Sequence, residues 1–211
     1  HRVAFNQAFA ALGIKRNWSV ERYGELLHTA GGKERMTRDF DEVGWPVADS
    51  DRKALIQKLH LRKTDIFMDL IMASKLPLRP GVARLVDEAI AAGLSVAVCS
   101  TSNERAVQTV IDTMLGAARA RAITLFAGDM VAAKKPDPAI YTLAATSLSL
   151  KPAACVVIED SHIGLSAARA AGMHCIVTKS TYTEDEDFSG AACVVPDLDA
   201  GIDLNLCNSF I

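Results

Sequence analysis

The stretch that most constrains this chain is Cys155–Gly164, Cys-Val-Val-Ile-Glu-Asp-Ser-His-Ile-Gly. Its apolar run leads directly into two adjacent carboxylates, Glu159 and Asp160, then into Ser161 and an alanine-rich helical pattern. A short apolar run bounded in this way fits a strand buried on both faces of a parallel sheet. In open α/β sheets ligands bind just past the carboxyl ends of such strands, where Glu159 and Asp160 fall. Neighbouring carboxylates repel each other unless a cation or a shared proton compensates. Mg2+ takes one or two carboxylates plus substrate phosphate. The same residues also suit a plainer role, with Asp160 or Ser161 capping the next helix.

The second half of the chain repeats this pattern. Leu94–Cys99, Ile123–Phe126, Ala154–Ile158, Cys175–Thr178 and Cys193–Val195 read as strands. Helical patterns at Val82–Ala92, Asn103–Leu115, Pro138–Leu148 and His162–Ala171 lie among them. Strands alternating with helices predict an α/β fold with a doubly wound parallel sheet. No strand pattern precedes residue 90. Instead Phe5, Ala8, Phe9 and Leu12 share one helical face, and Ser19 can cap a helix carrying Val20, Tyr23, Leu26 and Leu27. Gly31–Arg35 opens a third helix, and Asp51 to about Ser74 reads as a fourth. Residues 1–78 are therefore expected to form an all-helical unit and residues 79–211 the sheet-bearing core. The change falls within Leu76–Gly81, where Pro77 and Pro80 restrict the backbone.

Half of the 211 residues are hydrophobic, enough for a sizeable core. No apolar run approaches the ~18 residues that span a bilayer. A net charge of −2 without long charge runs gives no electrostatic reason to expect nucleic acid or an anionic membrane as partner. A monomer acting on a small molecule is expected. Cys99, Cys155, Cys175 and Cys193 sit in or beside apolar runs and Cys207 lies near the end, so the cysteines read as reduced, buried thiols in a reducing compartment. The chain starts at His1, already within a helical pattern. We expect it to be a fragment that has lost an N-terminal part, which leaves import signals unread.

Two further strand ends or loops carry polar groups. In Val96–Asn103, Ser100 follows a buried strand and precedes a helix, so its hydroxyl and the Thr101 N–H can bind an anion. Ser102 can equally be an ordinary helix cap. In Gly128–Pro138, Lys135 precedes Pro136, which fixes its backbone and allows its amine to neutralise a phosphate or a carboxylate. Lys134 is expected to be a solvated neighbour.

Ser100, Lys135-Pro136 and Glu159-Asp160-Ser161-x-x-Gly164 resemble motifs II, III and IV of the haloacid dehalogenase (HAD) superfamily. Arg79-Pro80-Gly81 resembles the return from an inserted helical cap. Longer stretches are similar to the plant and algal CbbY type. These are Gly31–Met36, Val96–Asn103, Phe126–Asp129, Ala139–Tyr141, Ala171–Met173, Cys175–Ser180 and Glu184–Phe188. The resemblance implies a Rossmann-like HAD core under a C1-type cap. It also implies Mg2+-dependent hydrolysis of a sugar phosphate through an aspartyl-phosphate. The implied substrate is xylulose 1,5-bisphosphate and the implied location the chloroplast stroma, or otherwise the cytoplasm. Catalytic roles then fall to Ser100, Lys135 and Asp160, and metal binding to Glu159 and Asp160. Ser100, Thr101, Ser102 and Lys135 would hold the reacting phosphate, and Lys33, Arg35 and Lys63 the distal one. Those three cations may equally be read as solvated helix charges. The family's opening Asp-x-Asp-Gly, with its nucleophile and its acid/base, would lie about a dozen residues before His1. It is not among these residues, so the first core strand is expected to be missing, leaving two raw sheet edges. A β-phosphoglucomutase-like mutase and an inactive phosphate-binding fragment are the alternatives.

Overall fold

A computed structural model describes residues 1–73 and 77–211. Helices α1 (Arg2–Ala11), α2 (Val20–Leu27), α3 (Gly32–Val43) and α4 (Arg52–Ala73) come first. Their aromatic and aliphatic faces meet in one cluster built on Phe5, Phe9, Trp18, Leu26, Phe40 and Leu59. Ser19 caps α2, accepting a hydrogen bond from the Arg22 N–H. The expected end of the fourth helix at Ser74, and Leu76 at the unit boundary, lie outside the described residues.

The charged centre of this cluster is Asp39, whose side chain has no solvent exposure. It accepts from Arg16 at 2.5 and 2.6 Å, from Trp18 Nε1 at 2.7 Å and from Arg22 at 2.8 and 3.0 Å. A buried carboxylate is tolerable only with donors of this kind around it.

The remainder alternates as expected. It runs α5 (Val82–Ala91), β1 (Val96–Ser100), α6 (Glu104–Val110), α7 (Gly116–Ala120), β2 (Ile123–Ala127), α8 (Ala139–Ser147), β3 (Val156–Glu159), α9 (His162–Ala170), β4 (His174–Thr178), β5 (Cys193–Val195) and α10 (Leu204–Asn208). The strands start and end one or two residues later than the sequence suggested for β1 and β3. The helix expected over Asn103–Leu115 has Asn103 rather than Ser102 as its cap and widens into a π-helical turn at Ile111–Leu115.

All strand pairs are parallel, but they form two sheets, β1–β2 and β3–β4–β5. One edge of β1 and one edge of β3 therefore carry no strand partner among the described residues. Apolar side chains pack on both faces. Phe126, Ile140, Val157, Leu165 and Val177 form one layer with α8 and α9. Ile176, Leu198, Ile202 and Cys207 form the other, with Val82 and Leu85 of α5. Gly81, at φ 79°, opens α5 where a Cβ would come within 2.7 Å of the Leu198 carbonyl carbon. Arg79 ties this entry to the sheet, donating to the carbonyls of Thr178, Lys179 and Pro196 at 2.5–3.1 Å. All five cysteines are unpaired thiols, Cys175 and Cys207 buried and the others partly so. Among the described residues no helix is long and apolar enough to cross a membrane.

Candidate active site

The carboxyl ends of β1 and β3 meet through one side chain. Lys135 Nζ donates to the Cys99 carbonyl at 3.0 Å, to the Tyr141 hydroxyl at 2.8 Å and to Glu159 Oε1 at 2.5 Å. The Tyr141 hydroxyl in turn donates to Glu159 Oε1. Lys135 and Glu159 side chains are only 10% and 9% exposed, so this ion pair is shielded from water and the charges need each other. Buried polar groups demand such partners.

Ser100 ends β1, and its Oγ accepts from the Ser102 N–H at 3.1 Å, which fixes the oxygen and leaves its own proton to donate. The hydroxyl therefore sits one residue from the carbonyl that anchors Lys135. On the other side, Asp160 follows Glu159 directly. Its side chain has no hydrogen-bond partner among the described residues, and its pKa is raised by its dense surroundings first and by the Glu159 charge second. By surface area Asp160 is nevertheless exposed, so the carboxylate stands at a solvent-reachable mouth. Ser161 caps α9, accepting from the Gly164 N–H, and Asp160 does not take that role. Gly164 has a second reason to be glycine. A Cβ there would lie 1.9 Å from Glu159 Oε2.

Ser100, Lys135, Glu159 and Asp160 are thus brought together. Thr101 adjoins them and lines a cavity of about 370 Å3 between the helical segment and the strand-end loops, with Lys33, His60, Asn103, Asp129 and Lys134. His60 is held neutral there, its pKa lowered to about 4 by burial and by the nearby Lys63 and Lys33 charges.

The three cations expected to hold a distal phosphate are not equivalent. Lys33 lines that cavity and is paired with Asp129 at 2.8 Å. Arg35 is drawn inward, donating to the carbonyls of Leu26 and Thr29 at 3.0 and 3.1 Å and lying 5.4 Å from the Tyr23 ring centre. Lys63 is 6% exposed, with Nζ 4.9 and 5.1 Å from the Phe5 and Phe67 ring centres. Its pKa is lowered to about 8 by burial and then by Arg35. Neither Arg35 nor Lys63 pairs with a carboxylate among the described residues. Lys134, expected to be solvated, instead folds back onto the carbonyls of Gly128 and Val131 and onto Asp129. The loop carbonyls offer it acceptors that the sequence alone does not show.

Sequence reasoning did not single out Tyr141 or Asp129. Tyr141 lies six residues after Lys135, but only the fold turns its hydroxyl towards the β3 end.

Residues 1–172 match the haloacid dehalogenase-like hydrolase family. A CBBY-like protein of Arabidopsis thaliana is 52% identical over all of this chain and 69% of its own length. The crystal structure of CbbY from Rhodobacter sphaeroides in complex with phosphate superposes with a TM-score of 0.90 at 38% identity, over 99% of this chain and 91% of that one. A mutant of the same protein in complex with xylulose-(1,5)bisphosphate gives 0.89 at 39%, over 98% and 90%. The chain belongs to the haloacid dehalogenase-like hydrolases, among their CbbY-type phosphatases.

Proposed function

We propose that the protein hydrolyses a phosphate ester of a small sugar bisphosphate, xylulose 1,5-bisphosphate, in the plastid stroma. The observation that carries this reading is the Lys135 ammonium held between the ends of β1 and β3. A phosphoryl group at that point meets the Ser100 hydroxyl and Thr101 N–H on one side and Asp160 on the other. Those donors would hold its oxygens as charge redistributes during transfer. The attacking carboxylate that the family pattern requires is not among the 211 residues, so the roles assigned are binding, orienting and stabilising.

The substrate class is supported by the sugar-bisphosphate complex of the R. sphaeroides protein. It is also supported by Arg35 and Lys63, two cations lacking carboxylate partners among the described residues, for which a distal phosphate would be a counter-ion. Residues 1–78 would act as a cap over residues 79–211. The Lys33–Asp129 pair spans the two across 96 residues of sequence.

Mg2+ fits the strand ends. No group of three or more His, Cys, Asp or Glu side chains gathers among the described residues, but Mg2+ needs only one or two carboxylates beside water and substrate phosphate. Asp160, with no side-chain partner among the described residues, would hold it directly, while Glu159 stays with Lys135 and Tyr141. Bound there, the cation would supply charge compensation at the phosphoryl oxygens.

The test is phosphate release from xylulose 1,5-bisphosphate, with Mg2+ present, by the chain joined at its N-terminus to a strand ending in the family's Asp-x-Asp-Gly, against release from xylulose 5-phosphate. Preferential release from the bisphosphate supports the reading. An isomerised sugar phosphate without free phosphate would point to a mutase, and no turnover of either ester would reject the proposal. Asp160→Asn should abolish the Mg2+-induced rise in melting temperature; an unchanged rise would remove Asp160 as a ligand.

A further inference from the structure

Tyr141 lies in the first turn of α8 and is 4% exposed. Its ring belongs to the apolar layer with Phe126, Ile140, Ala144, Val157 and Cys175. Phenylalanine would fill that space equally well, so packing alone does not require a hydroxyl. A buried hydroxyl is costly unless it is hydrogen-bonded, and this one bonds only within the site. It accepts from Lys135 Nζ at 2.8 Å and donates to Glu159 Oε1.

An ammonium has three N–H donors. Lys135 directs all three at protein groups, namely the Cys99 carbonyl, the Tyr141 hydroxyl and Glu159. To touch a phosphoryl oxygen it must release one of them. Releasing Glu159 would strand a nearly buried carboxylate unless another donor stays on it, and Tyr141 is that donor. Among the described residues Glu159 Oε2 has only the Asp160 N–H, at 3.3 Å.

We propose that Tyr141 is a positioning residue of the phosphoryl site. Its hydroxyl retains Glu159 at the end of β3 while Lys135 turns from Glu159 to the anionic substrate. This rests on the phosphatase reading above and deepens it. Without the hydroxyl, Glu159 has Lys135 as its one side-chain partner and holds it away from substrate.

The experiment is steady-state kinetics of Tyr141→Phe in the chain joined to the same N-terminal Asp-x-Asp-Gly strand, with xylulose 1,5-bisphosphate and Mg2+. Loss of a hydrogen-bonding partner that orients functional groups commonly lowers activity about 10- to 100-fold. That fall is expected in kcat, with KM little changed, because distal-phosphate binding does not involve Tyr141. Melting temperature reports whether the variant folds. In a Glu159→Gln background the same Tyr141→Phe change should add little further loss, since a neutral amide no longer competes for Lys135. Should the single variant fold poorly, this paired comparison decides alone. Wild-type kcat in Tyr141→Phe, or an undiminished loss in the Gln background, would overturn the proposal while leaving the phosphatase reading intact. An inactive chain carrying that N-terminal strand and otherwise unchanged would overturn both.

Discussion

The Lys33 ammonium of α3 lies 2.8 Å from a carboxylate oxygen of Asp129, which follows β2. Asp129 also accepts from Lys134 at 3.1 Å. Lys33 first and Lys134 second hold its pKa down to about 2. The pair is 37% and 73% exposed, so it contributes about 0–1 kcal/mol. Its larger effect is on charge. Asp129 neutralises two cations that line the cavity. Asp129→Asn should leave melting nearly unchanged yet lower KM for a bisphosphate at low salt, and the gain should shrink at high salt. A raised KM would show instead that the pair serves to close the helical segment over the strand ends.

Lys63 is a buried cation without a carboxylate partner among the described residues, and it should cost stability. Its folded pKa of about 8 lies below the ordinary lysine value of 10.5. Between those values the unfolded chain binds more protons than the folded one, so stability rises with pH across that window. Lys63→Met should remove that rise and stabilise the chain at pH 7 by about 3 kcal/mol. KM for the bisphosphate should increase more than KM for a small phosphoester. Melting curves from pH 7 to 10.5 check the first part; a variant less stable than wild type at pH 7 would contradict it.

Much of this site was legible because its chemistry sits at strand ends. An apolar run ending in Glu159-Asp160, or in Ser100, marks both the strand and the place where its polar groups emerge. The partners of those groups were not legible. Lys134 and Lys135 are adjacent, and nothing local says that one folds onto loop carbonyls while the other reaches Cys99, Tyr141 and Glu159. The sequence shows Tyr141 only within a stretch resembling the CbbY type and Asp39 only within the third helix, with no sign of their partners. Their roles arise from contacts 18 residues away for Tyr141 and 17 to 23 away for Asp39.

Asp39 should dominate the stability of the helical segment. Burial pushes its pKa up, but hydrogen bonds from Arg16, Trp18 and Arg22 outweigh it and hold the carboxyl below its ordinary range. A depressed pKa contributes stability above the unfolded value of 3.8, and that contribution is lost as pH falls through the folded value. Asp39→Asn leaves Arg16 and Arg22 without their shared counter-ion, and breaking a buried charge network costs about 3–5 kcal/mol. Denaturant titration at pH 7 should show a loss of that size. A loss below about 1 kcal/mol would mean that the network is no stronger than surface ion pairs.

Gly164 tests whether the position of Glu159, rather than its presence, matters. Glycine within a helix such as α9 ordinarily costs about 0.5–1 kcal/mol relative to alanine, so Gly164→Ala might be expected to stabilise. Here the added Cβ would lie 1.9 Å from Glu159 Oε2 and 2.1 Å from Cδ, closer than real atoms approach. Relieving that clash means rotating Glu159 off Lys135 and Tyr141, and overpacking of this kind costs about 1–3 kcal/mol. The steric term should win, giving a lower melting temperature and a kcat reduced at least as far as in Tyr141→Phe. Gly13→Ala is the control. Unlike Gly164 it has a positive φ, at 69°, and its Cβ would meet nothing within 4 Å, so it should cost about 1–2 kcal/mol of backbone strain and leave kcat unchanged. Wild-type kcat in Gly164→Ala would show that Glu159 can leave the Lys135–Tyr141 pair without consequence.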